Sequence, residues 1–184
     1  MPKVSQAHLD ARKAEILEGA RQAFARYGYE GATVARLEEA TGLSRGAIFH
    51  YFKSKLELFI ELAGSDNIRY QDVMIEGGLE ELVRAIGAAD PEWVKVLIET
   101  QVKLLRDPRF QERIATTKEQ QERVLGAFER AQAEGRMRDD VTALDLLRFT
   151  TMIINGLALR IGAGDPTNVD AVVTLVNDAV RPRT

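Results

Sequence analysis

Between residues 32 and 55 the chain reads Ala-Thr-Val-Ala-Arg-Leu-Glu-Glu-Ala-Thr-Gly-Leu-Ser-Arg-Gly-Ala-Ile-Phe-His-Tyr-Phe-Lys-Ser-Lys. Two helix starts and one turn are written into this stretch. Thr33 can cap a short helix running through Ala40, because its hydroxyl can accept from a free amide of the first turn. Thr41-Gly42-Leu43 supplies a tight turn. Ser44 can cap a second short helix, which ends in the aromatic run Phe49-His50-Tyr51-Phe52. Val34, Leu37, Ala40, Leu43 and Ile48 fall at spacings that pack two such helices together. Phe52 anchors the end of the second one, and Phe49 is open to either side. Two short helices joined by a glycine-containing turn form either a plain helical hairpin or a helix-turn-helix, whose second helix enters the DNA major groove.

The polar residues of the second helix favour the helix-turn-helix. Ser44 can donate to a phosphate as well as cap. Arg45 can reach a phosphate or the edge of a guanine. Gly46 lets another backbone come close. His50 and Tyr51 present ring edges with hydrogen-bonding tips, and Lys53 and Lys55 add positive charge near the start of the next helix. Charge is also unevenly spread. Residues 1–56 hold nine Lys/Arg and six Asp/Glu, a net +3, whereas residues 57–184 hold sixteen and twenty-two, a net −6. A basic N-terminal piece on an acidic body suits a DNA reader with a separate second domain.

The remainder reads helical, without period-two strand runs or hairpin turns. Ile16, Leu17, Ala20, Ala23 and Phe24 mark one buried face of a helix from Leu9 to Tyr27, which Gly28 ends. Ser54 followed by Glu57 is a capping box that opens a helix to about Met74. Gly77-Gly78 interrupts the pattern before a short helix from Leu79 to Ile86. Pro91 occupies the first position of a helix carrying Trp93, Val96, Leu97, Val102 and Leu105. A long helix is expected from about Arg109 to Glu134, an apolar one from Ala143 to Ile161, and a valine-rich one from Val169 to Val180. The fold class is therefore all-α, with a domain boundary placed near Leu56, inside a shared helix. Residues 1–56 are read as the DNA-binding domain and 57–184 as the second domain.

Several classes of function are disfavoured. The 45% apolar and 29% charged composition is that of a globular protein, and the chain has no cysteine. Its two histidines are His8 and His50. Neither joins carboxylates at metal-ligand spacing, and no phosphate loop or nucleophile elbow occurs. No enzymatic activity, metal ion or cofactor is expected. The N-terminus lacks the apolar core of a signal peptide, and no apolar run is long enough to span a membrane, so the expected location is cytoplasmic.

The quoted helix-turn-helix residues, together with Glu15-Ile16-Leu17-Glu18-Gly19-Ala20-Arg21, Phe24, Gly28-Tyr29-Glu30-Gly31, Lys55 and Leu58-Phe59, resemble the DNA-binding domain of the TetR family of bacterial repressors over about residues 12–60. The resemblance implies a three-helix DNA-binding domain and an all-helical second domain. The second domain takes up an unidentified small-molecule effector and pairs as a homodimer through its last two helices. It also implies that Thr33, Ser44, Arg45, Gly46, His50, Tyr51 and Lys55 face double-stranded DNA. A palindromic operator matches such a dimer. A narrower similarity, to actinobacterial aconitase repressors, is carried by Met1-Pro2-Lys3-Val4-Ser5, Arg36-Leu37-Glu38-Glu39-Ala40-Thr41, Arg106-Asp107-Pro108 with Phe110, and Arg136-Met137-Arg138-Asp139-Asp140-Val141. It implies aconitase or central-metabolism genes as targets, and citrate with magnesium as effector. The acidic ligand expected in the last helix is Asn177 here. The expected basic residue of the long helix falls at Ala127-Phe128, with Arg130 displaced, while Arg181 matches.

For the second domain, apolar walls with a few polar groups are what a ligand pocket needs. Trp93, Glu99, Phe128, Gln132, Arg148, Asn155 and Arg181 are the candidate ligand residues. Leu147, Ile154, Leu157, Ile161, Val172 and Val176 are the candidate dimer contacts. A helical dimeric scaffold without specific DNA binding stays open as the alternative function.

Overall fold

The protein is described here by a computed structural model covering residues 6–108, 111 and 118–183. Among these residues there are eight helices and no strand. They are α1 (Gln6–Gly31), α2 (Val34–Thr41), α3 (Arg45–Tyr51), α4 (Lys55–Gly87), α5 (Pro91–Leu104), α6 (Lys118–Ala133), α7 (Ala143–Gly162) and α8 (Val169–Val180). Met1-Pro2-Lys3-Val4-Ser5, Phe110 and the start of the long helix expected at Arg109 lie outside the described residues. The chain forms two compact units that part within α4, between Ser65 and Asp66.

The first unit is a small helical core. Ile16, Phe24, Leu37, Ile48, Leu58 and Phe59 are fully buried in it. Phe24 meets Phe59 edge-on at 5.2 Å, and Tyr29 meets Phe59 edge-on at 5.1 Å. Such geometry is favoured by the ring quadrupoles, beyond the area the rings bury. Gly28 breaks α1 as expected: its φ of 71° and ψ of 170° are non-helical, a conformation glycine adopts without strain. The break lets Tyr29 fold back onto the cluster. Close helix contact then demands a small residue. A Cβ added to Gly19 on α1 lies 2.8 Å from Ala40 O and 2.8 Å from Thr41 Cγ2 on α2.

The second unit buries Val83, Val94, Phe128, Leu146, Val173 and Val176 among others. Within it α7 packs against both α5 and α6. The Gly77-Gly78 interruption is real: Gly78 has φ 79° and kinks α4. Thr142 and Asn168 cap α7 and α8 by accepting from Asp145 N and Ala171 N. The turn before α7 is tied to the end of α8 through Arg138. Its backbone N–H donates to Val180 O at 2.9 Å and its Nη1 to Ala179 O at 3.1 Å. Asp140 grips the same guanidinium with both oxygens at 2.6 Å. These hydrogen bonds, with the charges of Arg138 and Arg183 adding, hold the Asp140 carboxyl below the ordinary carboxylate value.

Two outcomes follow from this packing. Gly19→Ala lowers the stability of the chain by about 1–3 kcal/mol, because backbone on α2 must move to admit the methyl; urea unfolding measures it. The lowered Asp140 value means that its contribution is complete above the ordinary carboxylate range and is lost as pH falls through the folded-state value. Asp140→Asn therefore removes this part of the acid sensitivity, which melting curves at descending pH detect as a smaller drop than in the wild type.

Candidate nucleic-acid interface

The helix-turn-helix is built by the caps that the sequence advertises. Thr33 Oγ1 accepts from Arg36 N, and Ser44 Oγ accepts from Ala47 N, both at 3.4 Å. Gly42 closes α2 in the left-handed conformation, φ 67°, and its N–H donates to Glu38 O. Leu37, Ile48 and Phe52 turn into the core, whereas Val34, Ala40, Leu43 and Phe49 are half-buried. What remains outward is the polar face. Thr33, Ser44, Arg45, Gly46 and His50 are exposed and Tyr51 is half-buried. The His50 and Tyr51 rings meet edge-on at 5.3 Å.

Gly46 is informative because nothing in the folded chain asks for glycine there. A Cβ at this position meets no atom within 4 Å, and Gly46 is not among the positive-φ glycines. Glycine in a helix costs roughly 0.5–1 kcal/mol against alanine. A glycine kept at that cost on an exposed face fits close approach by something outside the chain.

Lys55 is placed differently from the others. Its ammonium lies 2.8 Å from Tyr29 O and 3.4 Å from Glu30 O, and 4.5 Å from the centre of the Tyr29 ring. It caps the carbonyl end of α1 from the first turn of α4. Arg36 fixes the same segment from the other side. Its Nη1 donates to Gly31 O at 2.8 Å, and its guanidinium lies 4.1 Å from the centre of the Tyr27 ring. The capping box at Ser54 forms with a shift of one residue: Ser54 Oγ accepts from Glu57 N, while Glu57 Oε2 reaches Lys53 N at 2.5 Å.

The candidate ligand residues of the second unit are scattered in environment. Phe128 is fully buried, and Trp93 is buried with its indole N–H donating to Asp66 Oδ2 at 2.6 Å. Gln132 Nε2 donates to Arg138 O and Val141 O, so it holds the turn between α6 and α7. Glu99, Arg148, Asn155 and Arg181 are exposed. Arg148 lies 3.5 Å from Asp145, and Arg181 lies 3.0 Å from Asp178. The candidate dimer contacts also divide. Leu157, Ile161 and Val176 belong to the subunit's own core, and Leu147, Ile154 and Val172 are half-buried against it. The large exposed apolar side chains of α7 and α8 are Leu144, Met152, Leu159 and Leu175.

Residues 16–62 match the family model of bacterial regulatory proteins, tetR family. The chain is 43% identical over 186 residues to the HTH-type transcriptional repressor AcnR of Corynebacterium diphtheriae, covering 98% of this chain and 97% of that one. It belongs to the TetR family. A second relative in the family, the HTH-type transcriptional repressor Rv1474c of Mycobacterium tuberculosis, is 42% identical, covering 98% of this chain and 99% of that one. Among solved structures, a cysteine mutant of the TetR-family regulator CifR in complex with 26-bp double-strand operator DNA is similar. It superposes with a TM-score of 0.66 at 25% identity, over 91% of this chain and 95% of that one.

At one position the residues depart from the magnesium and citrate that the narrower resemblance implies. Asn177 offers an exposed amide where a carboxylate is expected. Among the described residues no group of three or more His, Asp or Glu side chains is placed so that it could hold a metal ion by itself. No helix among them is long and apolar enough to cross a membrane.

Gly46→Ala separates stability from binding. The variant melts at or slightly above the wild-type temperature, while its affinity for operator DNA falls; equal DNA affinity would show that the glycine faces only solvent.

Proposed function

We propose that this chain is a DNA-binding transcriptional repressor that reads a palindromic operator as a homodimer and releases it when a small molecule binds the second unit. The supporting observation is the outward face of α3: Ser44, Arg45, Gly46 and His50 exposed together on a helix whose other side is locked into the core. Named repressors over nearly the full length support the same reading, and they point to a regulator rather than an enzyme. The narrower resemblance to aconitase repressors makes an aconitase gene the first target to examine.

In this reading the first unit carries the DNA contacts and the second carries effector uptake and pairing. Thr33, Ser44 and Tyr51 position the module on the phosphates, and Arg45 and His50 reach base edges. Lys55 contributes by holding α1 to α4, with its charge close to the DNA. Pairing uses the exposed apolar groups Leu144, Met152, Leu159 and Leu175 of α7 and α8. An effector favours the conformation in which the two reading helices no longer fit successive major grooves. It can shift that equilibrium only by its difference in affinity for the two states. The α4 helix runs from one unit into the other and is the connection through which such a shift reaches α3.

Selection of binding sites from random duplex DNA by the purified protein, at physiological salt, is the deciding experiment. Enrichment of a palindrome establishes a dimeric, sequence-specific DNA-binding regulator, and no enrichment at any salt returns the chain to a helical scaffold. Arg45→Ala weakens binding to the enriched duplex by about 1–3 kcal/mol and leaves the dimer intact, as titration and sedimentation together show. Leu175→Asp combined with Met152→Asp yields a folded monomer, because both side chains are exposed in the subunit; a variant that still sediments as a dimer refutes this pairing surface.

A further inference from the structure

Glu38 lies on α2, yet its Oε1 accepts a hydrogen bond from the backbone N–H of Arg45, the first residue of α3, at 2.6 Å. The first amides of any helix lack partners within it and carry partial positive charge. In α3 the amide of Ala47 is met by Ser44, and that of Arg45 by Glu38. A half-buried carboxylate is thereby fixed among exposed Ser44, Arg45 and Gly46, on the face read above as the one turned to DNA. The hydrogen bond itself needs only an acceptor oxygen. A glutamine provides one at the same reach, so the fold does not require the negative charge.

Negative charge at this place has a definite effect on DNA. Binding to arbitrary duplex rests almost wholly on attraction to phosphates, and a fixed carboxylate at the start of α3 repels them. A base edge is treated differently, because a carboxylate can accept from the amino group of cytosine. We propose that Glu38 is a specificity-determining residue of the DNA interface. Its carboxylate closes the start of α3 to the phosphate backbone, which weakens binding to unrelated duplex more than binding to the operator. The inference rests on the DNA-reading role assigned to α3.

The test compares wild type, Glu38→Gln and Glu39→Gln, as full-length protein. Each is titrated against the duplex enriched by the wild type and against a scrambled duplex of the same composition. Glu39 is exposed on the same helix, so its variant removes the same charge elsewhere. Glu38→Gln is expected to bind the scrambled duplex about fivefold more tightly at low salt, the effect of one charge pair near a solvated surface. Its preference for the enriched duplex narrows accordingly, and the gain shrinks as salt rises. Glu39→Gln is expected to keep the wild-type preference. Unchanged preference in Glu38→Gln, or equal narrowing in Glu39→Gln, overturns the proposal. Should Glu38→Gln melt early, both titrations are run below its melting transition and the same comparison decides. A wild type that enriches no duplex overturns the repressor reading itself, whereas a discriminating wild type with an equally discriminating Glu38→Gln overturns this inference alone.

Discussion

The first unit depends on one set of buried apolar side chains, in which Phe24 of α1 meets Phe59 of α4 edge-on and Leu37 and Ile48 of the two short helices lie at zero exposure. Neither α2 nor α3 is long enough to be stable alone; isolated helices shorter than about 12–15 residues are marginal in water. Their helicity is therefore supplied by burial of Leu37 and Ile48 at zero exposure. The polar face of α3 stays outward for the same reason. With Ile48 and Phe52 held inside, the geometry of a seven-residue helix leaves Ser44, Arg45, Gly46 and His50 no other direction.

Around that set, hydrogen bonds fix where the chain enters and leaves. Gly28 bends the end of α1, Lys55 donates to the carbonyls of Tyr29 and Glu30, and Arg36 donates to that of Gly31. The Arg36 tie spans five residues and the Lys55 ties span 26 and 25, so the end of α1, the start of α2 and the start of α4 are set together. A change at any of them is felt at α3 although none lies on it.

Local chemistry was legible in the sequence, and contacts across the chain were not. Thr33, Ser44, Gly28, Gly42 and Gly78 announced their roles because caps and helix breaks depend on a residue and its close neighbours. The all-α class and most of the helix limits followed from spacing. The bond from Glu38 to Arg45 spans seven residues, the one from Lys55 to Tyr29 spans twenty-six, and the one from Trp93 to Asp66 spans twenty-seven. No periodicity encodes such pairs. Orientation of α7 and α8 was hidden for another reason. Both helices are apolar on more than one side, so spacing could not tell the face that fills the subunit's core from the face left outside. Leu157, Ile161 and Val176 lie on the inner face, and Met152 and Leu175 on the outer one.

Trp93 is the one tryptophan in the chain. Its ring is buried, and its N–H is bonded to a buried carboxylate at Asp66, the residue at which the second unit begins. Light emitted by this protein on indole excitation therefore comes from a single place, the point where Trp93 of α5 is tied to Asp66 of α4. A molecule that alters that tie changes the colour or yield of the emission without any added label, and one that leaves it alone is optically silent.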